Sequence, residues 1–131
     1  MVNTTPHADT MPYHVIIAGS RDFNDQALLY ERCDHLLSQQ SDVVVISGAA
    51  RGADQLGERY ATDRGLGIVR MPADWETHGK RAGYLRNSAM LERADAVIAF
   101  WDGTSRGTAN MIDIARKAGV PVRVVMTNRT R

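Results

Sequence analysis

Three times in this chain an apolar, strand-forming run ends in a glycine-bearing turn, and each turn opens a stretch of helical periodicity. The runs are Val15-Ile16-Ile17-Ala18, Val43-Val44-Val45-Ile46 and Ala96-Val97-Ile98-Ala99-Phe100-Trp101. The turns that follow them are Gly19-Ser20-Arg21-Asp22, Ser47-Gly48-Ala49-Ala50-Arg51-Gly52-Ala53-Asp54 and Asp102-Gly103-Thr104-Ser105-Arg106-Gly107-Thr108. A strand that is apolar throughout, rather than in alternation, must be covered on both faces. The chain is thereby constrained to a sheet with helices above and below it.

The remaining segments complete the pattern. Asn24 or Asp25 can cap a helix that runs to about Gln39, with Leu29, Cys33, Leu36 and Leu37 on one face. A helix over Ala53–Arg64 carries Ala53, Leu56, Gly57, Tyr60 and Ala61 in one stripe and stops at Gly65. Leu66–Met71 reads as a weaker strand and Pro72–Gly79 as a polar loop. Lys80–Arg93 reads as a helix with Tyr84, Leu85, Ser88 and Leu91 inward. Ser105–Ala118 is the last helix, with Met111, Ile112, Ala115 and Ala118 on one face, and Val120–Met126 closes as a strand. Strict alternation of strand and helix predicts a three-layer α/β fold. It is an open sheet of about five parallel strands joined by right-handed crossovers, with helices on both faces. Residues 1–12 are polar and rich in Thr and Pro, and are expected to form a flexible tail before one domain over 13–131.

In open sheets of this kind, ligands sit at the carboxyl ends of the strands, near the point where strand order reverses. All three glycine turns belong to that rim. Bare N–H groups and helix N-termini there suit an anion, and each turn adds an arginine. The first turn offers Gly19 for close backbone approach, the Ser20 hydroxyl and the Arg21 guanidinium. In the second, Ser47, Gly48, Ala49, Arg51 and Gly52 suit a phosphate or ribose. Asp54 there has two open readings: support of the helix dipole, or a hydrogen bond to a sugar hydroxyl. In the third, Asp102, Gly103, Ser105, Arg106, Gly107 and Thr108 form a candidate phosphate cradle, with the Thr108 hydroxyl as a further donor. A fourth cluster contains Trp75, His78, Lys80, Arg81, Tyr84 and Asn87. Trp75 is placed there to stack on a base, and Lys80 or Arg81 to reach a phosphate. Asp54 and Asp102 are the candidate catalytic acids.

A formal net charge of +1 gives no broad footprint for nucleic acid. The histidines are scattered without metal-ligand spacing. Cys33 alone cannot form an internal disulfide, and it falls on an apolar helix face, where it reads as inert core. With no apolar run near the ~20 residues of a membrane span and no secretory signal, a cytoplasmic protein is expected.

The quoted turns, together with Pro72-Ala73-Asp74-Trp75 and His78-Gly79-Lys80-Arg81-Ala82-Gly83-Tyr84-Leu85-Arg86-Asn87, resemble the SLOG superfamily, and within it the YspA-like branch. The resemblance covers Tyr13 to Met126. It implies a Rossmann-like sheet, a pocket at the glycine turns for a nucleotide or an ADP-ribose-like derivative, and a homodimer or larger homo-oligomer. Two relatives point to different activities. LOG-type phosphoribohydrolases cleave the N-glycosidic bond of nucleoside monophosphates, using a glutamate three residues after a similar Gly-Thr turn. Met111 stands at that position here, and a thioether supplies no carboxylate. DprA, whose Ser-Gly-x-Ala-x-Gly-x-Asp turn is similar to Ser47–Asp54, binds single-stranded DNA. The leading expectation is a binding protein for a small phosphorylated ligand, acting as sensor, carrier or sequestering protein. A nucleotide hydrolase comes second and a single-strand binder third.

Overall fold

The β-branched runs pair side by side; the first two glycine turns carry the chain to helices on one face of the sheet and the third carries it to a helix on the other. The computed structural model describes residues 11–127, so all but the last two residues of the expected tail lie outside the described residues. The order is β1 (Tyr13–Gly19), α1 (Gln26–Leu36), β2 (Val43–Ser47), α2 (Ala53–Arg64), β3 (Gly67–Arg70) and α3 (Trp75–His78). A 3₁₀ turn (Gly79–Arg81), α4 (Ala82–Glu92), β4 (Ala96–Trp101), α5 (Arg106–Ala118) and β5 (Val122–Met126) follow.

All five strands are parallel, in the order β3-β2-β1-β4-β5. Ile16 pairs with Ile46 on one side and Val97 on the other, so β1 is the central strand. Strand order reverses between β1 and β4, where Gly19 lies opposite Phe100. Alternate residues of β1 face opposite layers. Val15 and Ile17 join Leu29, Cys33, Tyr60 and Ala61 of α1 and α2. Ile16 joins Met90, Met111, Ile112 and Ala115 of α4 and α5. Burial pushes the Cys33 thiol up to about 12, consistent with an inert core position. No helix of the described residues is long and apolar enough to cross a membrane.

The departures from expectation are local. Helix α1 closes at Leu36 rather than near Gln39, with 37–39 forming a turn. The stretch 72–79 is not all loop: Asp74 caps α3, its Oδ1 accepting from Thr77 N at 3.1 Å. The inward face of α4 is also different. Tyr84, Leu85 and Ser88 are exposed and Leu91 is only partly buried, whereas Ala82, Asn87 and Met90 are buried. The reason is the polar requirement of Asn87. Its side chain must reach the Gly107 carbonyl (3.2 Å) and Asn110 Oδ1 (3.0 Å), and it turns the helix accordingly. Ala118 is exposed in the last turn of α5, beside the left-handed Gly119 cap.

Candidate functional site

The first, second and third turns lie at the ends of β1, β2 and β4, on the carboxyl side of one parallel sheet. Between them and α4 is a cleft of about 520 Å³, a size suited to a small organic ligand. Gly19, Ser20, Arg21, Gly48, Arg51, Asp54, Trp75, Lys80, Asn87, Asp102, Ser105, Gly107 and Thr108 all line it, as expected residues. Met90 and Met111, both buried, contribute apolar surface.

Ser47, Ala49, Gly52, Arg81, Gly103 and Arg106 are absent from the lining. The Ser47 hydroxyl points the other way, donating to Glu58 Oε2 at 2.6 Å and accepting from Ala49 N at 3.0 Å. Gly52, at φ 79°, packs where a Cβ would strike the carbonyls of Ser20 and Arg21. A Cβ on Gly19 would likewise meet the Phe100 carbonyl, so this glycine serves turn-to-strand packing.

The second turn is less bare than its sequence suggests. Ala50 N donates to Asp54 Oδ2 at 3.1 Å and Ala53 N to the Ser20 carbonyl at 3.2 Å. In the third turn Asp102 Oδ1 accepts from Thr104 N (2.9 Å) and Ser105 N (2.8 Å). Those N–H groups hold the Asp102 carboxyl below its ordinary range. The start of α5 is open. Ser105 occupies the N-cap without a side-chain cap bond, and its Oγ instead lies 3.1 Å from Thr108 Oγ1. Among the described residues, the N–H groups of Arg106, Gly107 and Thr108 have no acceptor. A Cβ added to Gly107 would enter empty space. Asn87, by bonding to the Gly107 carbonyl, fixes this helix end against α4.

Charge in the cleft is mixed. Arg21, Arg51, Lys80 and Arg86 face Asp22, Asp54 and Asp102. Arg51 and Asp22 form a long, exposed ion pair at 4.0 Å. The Arg21 guanidinium lies 5.8 Å from the ring centroid of Trp75, so that one cation lies over one face of the expected stacking ring. Arg86 also lines the cleft, although no local sequence pattern singles it out. Its Nη1 donates to the Gly48 carbonyl and its Nε to Asn87 Oδ1 at 3.2 Å. Partial burial lowers its pKa, while the nearby Asp54 opposes that shift. Asp54 is 7% exposed, and burial raises its carboxyl to about 6 against the pull of Ala50 N and Arg86.

The profile of the YspA, cpYpsA-related SLOG family matches residues 13–78, from β1 through α3. The chain belongs to this SLOG family. The match stops before α4, the third turn and α5, which supply Arg86 and Asn87, Asp102, and Thr108. A longer relationship is to the Gene 61 protein of Mycobacterium phage D29, 42% identical over 115 residues, covering 82% of this SLOG chain and 92% of the phage protein. Among solved structures, DprA of Streptococcus pneumoniae superposes with a TM-score of 0.70 at 17% identity, over 88% of this chain and 50% of that one. DprA of Helicobacter pylori, described by its single-stranded DNA binding mode, gives 0.63 at 19%, over 88% and 66%. The protein TM1055 gives 0.63 at 23%, over 86% and 72%. The fold is therefore shared with these proteins, and the chain spans only half of the first DprA.

Proposed function

We propose that this SLOG protein binds a nucleotide or a nucleotide-derived phosphorylated ligand in the cleft, as a sensor, carrier or sequestering protein. The observation that carries the reading is the uncapped start of α5 at the strand-order reversal, with its N–H groups free beside a cleft that holds four cationic side chains. A helix N-terminus and fixed guanidinium groups both lower the energy of a phosphate. Trp75 and the methionines supply apolar surface for a base. Thermal melting with inorganic phosphate, nucleoside monophosphates and nucleoside diphosphates tests it. A ligand at about 100 times its Kd adds ~2.7 kcal/mol of stability. Melting that is unmoved by every one of them removes the reading.

A second reading is favoured by one feature, the buried Asp54 carboxyl with its raised pKa. A carboxyl poised to give up or take a proton near neutrality suits a general acid in N-glycosidic cleavage. Incubation with nucleoside monophosphates would release free base, and Asp54→Asn would stop the release. Turnover that survives in Asp54→Asn clears this residue.

A further inference from the structure

The second turn is held from behind as well as from the cleft. Its Gly48–Ala49 peptide is bonded at both ends. The Ala49 N–H donates to Ser47 Oγ at 3.0 Å, and the Gly48 carbonyl accepts from Arg86 Nη1. In a trans peptide these two groups point in opposite directions, so one bond aims the other. A Cβ on Gly48 would strike the Arg86 guanidinium and Asp54 Oδ2, so this glycine lets both groups close on the turn. Arg86 lines the cleft, whereas Ser47 and Glu58 do not.

The peptide's own conformation works against this orientation. Ala49 lies at φ 63°, in the left-handed region that disfavours a residue with a Cβ. A half-turn of the peptide would carry that φ to about −120°, where alanine rests without strain, and would swing the carbonyl away from Arg86. The Ser47 hydroxyl opposes the half-turn. It has one proton, and with that proton directed elsewhere its lone pairs are left for Ala49. The proton goes to Glu58 Oε2 at 2.6 Å, the length of a charge-assisted bond. Glu58 Oε1 accepts in turn from Arg70 Nε at 2.7 Å, and the Glu58 side chain is only 17% exposed. Bonds therefore run from Arg70 in β3, through Glu58 in α2 and Ser47 at the end of β2, to the turn.

We propose that Glu58 is a positioning residue: through the Ser47 hydroxyl it holds the Gly48–Ala49 peptide in its strained orientation, so that the Gly48 carbonyl keeps Arg86 at the cleft. Its effect on affinity rests on the nucleotide reading. Amide exchange followed by NMR tests the peptide without any ligand. The Ala49 N–H is protected in the wild type and in Glu58→Gln, whose amide oxygen still accepts from Ser47. It loses about tenfold of that protection in Glu58→Ala and Ser47→Ala, while the β2 amides paired with β1 keep theirs. Calorimetry with a nucleoside monophosphate tests the site. Glu58→Ala and Arg86→Ala each weaken binding about tenfold, and the double variant loses about the same tenfold rather than the roughly hundredfold of independent residues. Glu58→Gln binds within about twofold of the wild type. Should Glu58→Ala not fold, Ser47→Ala takes its place in both measurements. Undiminished binding by Glu58→Ala, additive losses in the double variant, or unchanged Ala49 protection overturns the positioning role while the nucleotide reading stands. Failure of the wild type to bind the monophosphate or inorganic phosphate overturns the nucleotide reading, and the exchange measurement still decides the role of Glu58.

Discussion

Asp54 stands in the first turn of α2, where a carboxylate ordinarily gains from the helix dipole. Here burial opposes ionisation and lifts the carboxyl from 3.8 to about 6. A folded-state pKa above the unfolded one means that the native state binds the extra proton. Its stabilising contribution is complete below about 3.8 and is lost as pH rises through about 6. Two units correspond to roughly 3 kcal/mol at full ionisation. Asp54→Asn removes this titration. Denaturant unfolding across that window is expected to show the wild type losing stability relative to the variant as pH rises, and a flat difference would refute the burial argument. At the same scale, Arg86 does not stand out in the sequence. Lys80, Arg81 and Arg86 are interchangeable cations in the sequence, and only Lys80 and Arg86 line the cleft. What singles out Arg86 is its bond to the Gly48 carbonyl, from a turn thirty-eight residues away. Nothing local records that contact.

At the scale of elements, two glycines that look alike in sequence do different work. Gly52 is at φ 79°, and its missing Cβ lets the second turn press on the first. Gly52→Ala forces the turns apart and is expected to cost about 1–3 kcal/mol in chemical denaturation, with the cleft distorted as well. Gly107 is helical, and a methyl there meets nothing. Gly107→Ala is therefore expected to raise stability by up to ~1 kcal/mol. On the nucleotide reading it also weakens phosphate binding about tenfold, by crowding the free N–H groups. Calorimetric titration beside a melting curve separates the two effects. A variant that is more stable and binds unchanged would place the phosphate away from α5. Sequence marked both glycines as turn residues, because both follow strands and precede helices. It could not say which one packs against protein and which faces open space, since that depends on a neighbour from another turn.

Across the whole molecule, periodicity carried the fold class a long way. Runs such as Val43–Ile46 demanded two covered faces, and helical stretches between them demanded parallel crossovers. The strand order with β1 in the centre was not written in any one run, because each is equally apolar. It follows from the crossover between β3 and β4, which brings the polar α3 segment and α4 to the opposite layer. That crossover also sets the charge of the site, by carrying Lys80 and Arg86 to a rim already holding Asp54 and Asp102. The balance bears on nucleic acid, which a DprA-like fold brings into question. A strand-binding groove needs a run of unopposed cations, with log affinity falling against log salt by about 0.7 for each phosphate neutralised on a single strand. Here four cations face three carboxylates, and one pair, Arg51 and Asp22, is partly engaged. Oligonucleotide binding is therefore expected to be no tighter than that of the matching mononucleotide, with a salt slope shallower than about −1.4, the equivalent of two phosphates. A fluorescence-anisotropy titration over a salt series measures it. A steeper slope with tight binding would mean that a strand crosses the cleft and continues over surface cations such as Arg81 and Arg106, which the nucleotide reading leaves unused.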